Sequence, residues 1–485
     1  MASITYDEAA HLLRRMGFGG APGEIDDLVA RGREGAVDFL LNYEQIDNNE
    51  MEGLLRSSFD FSDPFNFQKF NRGELQRWWF TRMTHTRRPF EEKMTIFWHN
   101  HFATSASKTT DLLIYIQNLT LRTHALDRFD NLLLKVAQDP AMLVWLDGIT
   151  NVRGKPNENF ARELQELFTM GINDVVTGEA NYTEQDVKEV ARTYTGWKFF
   201  HDRTNPNPFS YTFIVNPPEH DSTSKTVYSG APWGKTGNLD GTDVIEIVCA
   251  RRATARYLVK KFFDFFVYPL GSSAADKATI EKFADIYINR NHSIKDLVRA
   301  IFTSEEFFGE RARFGLVKSP VEIIVGPIRM LGARYNPGTS GRDGNANILA
   351  AFSIFLGQDL FNPPDVAGWK LNLGWINTST LLNRFTFADL LAINRPRDLN
   401  APGLWLSHEQ LRSLVKKNSK KTVRKLLTVL GPLDIDSEMF AALKSYLEHD
   451  DNGNPTAFVL DDLTLDKKVR GLIHLIMCLS EFQMN

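Results

Sequence analysis

A chain of 485 residues with 43% hydrophobic and 24% charged residues has the composition of an ordinary soluble globular protein and is long enough for two or three modules. A net charge of −4 supplies none of the basic footprint that nucleic acid requires, which excludes that partner. There is no apolar run of about 18 residues, which excludes a membrane-spanning helix, and "MASITYDEAAHLLRRMGFGG" lacks the layout of a secretory leader.

As given, the chain reads as cytoplasmic; with a leader removed it would read as periplasmic or exported. Cys249 and Cys478 lie in apolar helical patterns and read as small buried hydrophobes, with nothing to support a disulfide between them.

In chain order, residues 6–45 carry helical periodicity with a Gly stop at "MGFGG", and residues 73–104 and 111–146 continue it. Residues 195–240 differ. They are rich in Pro, Gly and Asn, with short alternating signals at "SYTFIV" and "KTVYSG", and read as a long functional loop bearing one small hairpin. Helices resume at "TDVIEIVCARRATARYLVKKFFDFFVY". A second irregular, Trp-rich segment falls at 361–377, residues 395–407 read as a linker, and the remainder as a small helical module.

The expected fold is therefore mainly α: a large multi-helix body with a small β-hairpin insertion and a small C-terminal helical module. The expected divisions are 1–194, 195–240, 241–394 and 395–485.

The polar residues that could carry chemistry begin with "TIFWHNHFAT". At about 100° per residue, His101 shares a face with Phe90, Met94, Phe97 and Trp98, while His99 aligns with Glu92 and Thr95. The two histidines diverge by about 200° on a regular helix, so they share a metal only if the helix breaks there. The bland alternative is one core histidine and one solvated one.

In "NENFARELQELF", Asn157 is placed to cap a helix whose apolar stripe has Glu163 at its edge, where a carboxylate needs a partner. Glu158–Arg162 and Arg162–Glu166 are i,i+4 pairs that can equally decorate a solvated face. Asp147 comes after the apolar run of "PAMLVWLDG" at an expected helix C-terminus, where the dipole disfavours an anion unless a cation, metal or histidine lies nearby. His220 and Asp221 sit in the long loop. "NDVVTGEANYTE" fails as a calcium loop because Val175 stands where an oxygen ligand is required. The chain has no G-x-S-x-G, P-loop, H-E-x-x-H or Rossmann glycine set.

The motifs "AAHLLRRMGFG", "EKMTIFWHNHFATS", "DPAMLVWLDG", "NENFARELQELFTMGI", "YTEQDVKEVARTYTGW", "LVKSPVEIIVG" and "FNPPDVAGW" with "WINTSTLLNRFTFA" together resemble the bacterial family called domain of unknown function 1800. The similarity covers most of the chain. It implies a mostly helical protein, often exported, whose gene often neighbours one for a sulfatase-like partner family; it attaches no reaction to any residue.

Two readings are open. In the first the chain is an enzyme of hydrolase or group-transfer type acting on a small or polymeric polar substrate such as a saccharide. His99, His101, Asp147 and Glu163 supply acid–base groups or the ligands of a divalent metal, and Asn157, Asn159, Arg162, His220, Trp369 and Trp375 bind substrate. In the second it is a non-catalytic helical scaffold or partner-binding protein, and the same side chains form a buried network that fixes helix register.

Overall fold

The computed structural model describes residues 3–485 apart from 67, 202–204, 206, 208, 339–346 and 394–401, and these form a mainly helical body. Caps written in the sequence start many of its helices. Thr5, Thr183, Ser319 and Ser407 each close a capping box with a Glu, Asp or Gln three residues on. Among the described residues no helix is long and apolar enough to cross a membrane. Cys249 and Cys478 are free thiols.

The helices that build the candidate site are α1 (Arg72–His85), α2 (Pro89–His101), α3 (Asp111–Thr123), α4 (Asn159–Glu163), α5 (Glu184–Thr193), α6 (Arg252–Phe266) and α7 (Ala274–Asn289). Buried apolar side chains form two large clusters, one running from Ile4 to Ala312 and the other drawing chiefly on Met51–Met83 and Val321–Phe482. Helix α2 belongs to both: Phe90, Met94, Phe97 and Trp98 enter the first and Ile96 the second.

The strands are short antiparallel pairs. β1 (Trp197–Phe200) pairs with β2 (Thr212–Val215), β3 (Lys225–Val227) with β4 (Lys235–Gly237), and β5 (Arg334–Asn336) with β6 (Gly403–Trp405). The single hairpin expected between "SYTFIV" and "KTVYSG" is therefore two separate pairs. "NPPEH" lies between those segments, and its prolines form a one-turn helix at Pro217–Glu219 in place of a tight reversal. Gly196 instead brings β1 against the chain at Asn216: its φ is +74°, and a Cβ there would sit 2.8 Å from the Asn216 carbonyl oxygen. In the expected linker 395–407, residues 395–401 lie outside the described residues, while Gly403–Trp405 is a buried strand rather than a connector.

Every face of α2 is covered, including the polar one, where Glu92, Thr95 and His99 are all buried. The solvated position expected for His99 is thus a core position. Glu92 accepts hydrogen bonds from Trp79 Nε1 and Arg82 Nε of α1, both at 2.8 Å, and from Arg122 Nε and Nη2 of α3 at 3.2 and 3.0 Å. Burial alone would raise its pKa, but Arg122 and Arg82 outweigh that and hold the carboxyl at about 2.

Glu92→Gln leaves two buried guanidinium groups short of their counter-charge and should cost about 3–5 kcal/mol. Because the folded pKa is depressed, the stabilisation is complete above the ordinary value of 4.5 and is lost as pH falls toward 2. Urea midpoints of the wild type should therefore fall across that window more steeply than those of Glu92→Gln.

The segment 361–377 is held against the end of α2 by a close approach that only glycine permits. Gly368 has φ +79°, and a Cβ there would lie 2.4 Å from Asn100 Oδ1 and 2.5 Å from the Asn100 carbonyl oxygen. Gly368→Ala should lower the stability by more than about 1 kcal/mol, measured by denaturant melting.

Candidate functional site

Three consecutive residues at the C-terminus of α2 each hold a different point of the chain. His99 Nε2 accepts the backbone N–H of Phe361 at 3.1 Å. Asn100 Oδ1 accepts the backbone N–H of Trp369 at 2.7 Å. His101 Nε2 donates to the carbonyl oxygen of Phe168 at 3.0 Å. The chain just beyond α2 adds to the seam, since Ala106 N–H donates to the Phe361 carbonyl at 2.8 Å and Ser105 Oγ to Asn362 Oδ1 at 2.6 Å. Consecutive helical residues point in three directions, so one turn can bind three partners.

These bonds set the tautomers. His99 Nε2 accepts and His101 Nε2 donates, so neutral His101 presents a lone pair at Nδ1, a buried atom with no hydrogen-bond partner. Burial pushes both histidines down to about 3; the charge of Lys261 adds to the effect on His101, while the Phe168 carbonyl opposes it. Phe168 lies in the last turn of the helix, where carbonyls lack intrahelical partners.

That turn is not regular. After α4 the chain runs through a π-helix at Leu164–Thr169, with the N–H groups of Met170 and Gly171 both donating to Gln165. A π turn inserts an extra residue and rotates the next residues of the chain by about 100°. Glu166 consequently accepts from the Tyr182 hydroxyl at 3.2 Å instead of pairing with Arg162. Arg162 keeps Glu158 at 3.3 Å and adds a two-pronged pair to Glu184 at 2.7 and 2.8 Å. Asn157, expected to cap α4, stands one residue before the N-cap Glu158 and accepts the N–H of Asn159 at 2.9 Å.

The other expected site residues lie in separate places. Asp147, with φ +59°, pairs with Lys108 at 2.8 Å and accepts from Asn159 at 3.1 Å, so a lysine meets the cation requirement at that helix end. Glu163 is half-buried and makes no hydrogen bond or ion pair among the described residues; burial and Glu166 raise its pKa against the pull of Arg162. The ring of His220 bonds to the Thr195 carbonyl at 2.8 Å. Trp375 packs with Val317 and Trp369. Among the described residues no three of His, Cys, Asp and Glu are grouped to hold a metal ion. His99 and His101 engage backbone groups, so the structure does not gather His99, His101, Asp147 and Glu163 into one ligand set.

What the structure does gather is a cavity of about 390 Å³ between the end of α2, the middle of α6 and the 361–377 segment. His101 and Trp369, both expected, line it together with Asn100, Tyr257, Lys261 and Asp264, which sequence reasoning missed. Lys260 donates to Asp264 at 2.8 Å and to the Leu270 carbonyl at 2.7 Å. Lys261 makes no hydrogen bond or ion pair among the described residues; its amine lies 5.2 Å from the Tyr257 ring centroid. Burial lowers its pKa, with Asp264 opposing and Lys260 assisting. The clue available in sequence was the "KKFFDFF" run, where adjacent lysines enter an aromatic stretch.

Part of the 195–240 insertion, Tyr228–Trp233, borders a different cavity, of about 510 Å³, at the N-terminal end of α6. The segment 173–184 lies between the two cavities, with Val175 on one wall and Asp174 on the other.

Comparison with curated proteins and with solved structures gives no match. One family matches, over residues 11–484, described as a protein of unknown function (DUF1800). With nearly its whole length inside that match, the chain belongs to the DUF1800 family.

Proposed function

We propose that this protein is an enzyme of hydrolase or group-transfer type acting on a polar substrate, with its chemistry in the cavity between α2, α6 and the 361–377 segment. The observation that carries the reading is Lys261. A half-buried amine without an ion-pair partner, lowered in pKa and placed on a cavity wall, is suited to proton transfer below the ordinary lysine value of 10.5. In this reading Lys261 takes a proton from the attacking hydroxyl or water, and His101, fixed by its bond to the Phe168 carbonyl, forms the cavity wall at the end of α2. Phe97, Tyr257 and Trp369 give the cavity aromatic walls suited to the apolar face of a sugar ring.

The experiment is turnover of a panel of chromogenic esters, glycosides and phosphate esters. Lys261→Met should lose about 10²–10⁴-fold in rate with an unchanged melting temperature. Wild-type turnover should rise with pH through a single deprotonation below the ordinary lysine value of 10.5, since the neutral amine is the active form. A panel untouched by the wild type, or turnover retained in Lys261→Met, removes the reading.

A scaffold role draws support from the His99, Asn100 and His101 bonds, each of which joins separate segments. Glu163 tests how far such a network extends. With no partner and a raised pKa, its charge is held unfavourably. Glu163→Gln should therefore leave the folding free energy at pH 7 within about 0.5 kcal/mol of wild type or slightly above it. A network charge would instead cost about 3–5 kcal/mol on removal.

A further inference from the structure

The N-terminal end of α6 departs from the usual helix chemistry. Arg251 occupies the N-cap, where Ser, Thr, Asp or Asn normally satisfy the free N–H groups, and its side chain makes no capping bond. Arg251, Arg252 and Arg256 bring positive charge to the end of the helix that already carries a positive partial charge. Two of the three are compensated. Arg252 pairs with Glu281 and Asp285 of α7 at 2.6 and 2.8 Å, and Arg256 pairs with Asp174 at 2.7 Å and with Glu281. The Arg251 side chain has no hydrogen bond or ion pair among the described residues. Its guanidinium lies 4.0 Å from the centroid of the Trp233 ring.

The first turn of α6 lines the cavity of about 510 Å³, and so does a second unsatisfied group. Tyr228 is only 2% exposed, and its hydroxyl has no partner. The residue is held in the left-handed region at φ +57°, its N–H donating to Asp186 Oδ1 at 2.6 Å and its ring 4.5 Å from that of Trp233. Tyr228 lines the cavity, and its hydroxyl is a buried donor left without a partner in the free protein. The carboxylates nearby are committed: Asp174 binds Arg256 and two backbone N–H groups, and Asp186 caps α5 at Thr183 while holding Tyr228. Glu179 is exposed.

We propose that this cavity binds an oxyanion, the phosphate or carboxylate group of a small polar ligand, between the Arg251 guanidinium and the N–H groups of the first turn of α6, with the Tyr228 hydroxyl as a further donor. The anion supplies the negative charge and the hydrogen-bond acceptors that this helix end lacks. The site is separate from the Lys261 cavity and does not rest on its chemistry.

The test titrates the full chain with inorganic phosphate and, separately, with succinate, at ionic strength matched with potassium chloride, and tracks thermal melting and calorimetric binding. One of the two anions should raise the melting temperature saturably, and which one does so distinguishes a phosphate ligand from a carboxylate ligand. Arg251→Ser installs an ordinary N-cap and removes the unpaired cation together with its stacking on Trp233. It should melt no lower than the wild type and bind the anion at least about ten-fold more weakly. Tyr228→Phe should weaken binding by about three-fold or more and keep the site testable if the serine variant folds poorly. Lys261→Met should bind as the wild type does. The proposal is overturned if neither anion shifts the wild-type melting temperature, if Arg251→Ser binds with wild-type affinity, or if Lys261→Met alone loses binding.

Discussion

The end of α2 is the constraint on which the candidate site depends. His99, Asn100 and His101 are neighbours in sequence, yet their hydrogen bonds reach Phe361, Trp369 and Phe168. Each of these bonds satisfies a buried backbone group that would otherwise cost about 1–3 kcal/mol. Together they fix where the 361–377 segment and the π-helix stand relative to α6, and hence the shape of the cavity among them. The histidines are neutral in this role, because burial disfavours their charged form and because one ring nitrogen of each is engaged by a backbone group of opposite hydrogen-bonding character.

Charge buried in this interior meets either an opposite charge or backbone carbonyls, the latter at Arg15 and Lys318. Glu92 is buried between Arg82 and Arg122, and Lys93 is buried against Glu322. Such pairs hold position at a high desolvation cost, which is why breaking one is expensive while their net contribution to stability is small. Lys261 and Arg251 stand outside that rule, each near a cavity and each without an ion-pair partner, at positions along the same helix α6. An uncompensated cation facing open volume is unfavourable for the free protein and favourable for a complex with a polar or anionic ligand.

Much of this architecture was legible in the sequence. Periodicity is local, so the mainly α fold came from residues within a turn or two of one another. The inward direction of His101 and the irregular course of the 361–377 segment were legible too, since the aromatic stripe and the Trp-rich composition mark them directly. The seven motif runs were specific enough to carry the family, which the match over residues 11–484 shows.

The tertiary structure alone decided which groups meet. A helical wheel assumes 3.6 residues per turn, and the π-helix at Leu164–Thr169 shifts its phase, so Glu166 faces Tyr182 and the Phe168 carbonyl reaches His101. A wheel also cannot say that a polar face is buried, as it is around Glu92 and His99, because the covering side chains come from α1, α3 and residues more than two hundred positions away. Sequence by itself determined the helical periodicity and the family. Long-range packing determined that His101 and Lys261, 160 positions apart in the numbering, share one cavity, because contacts between distant segments depend on how whole faces fit and leave no periodic signal in the chain.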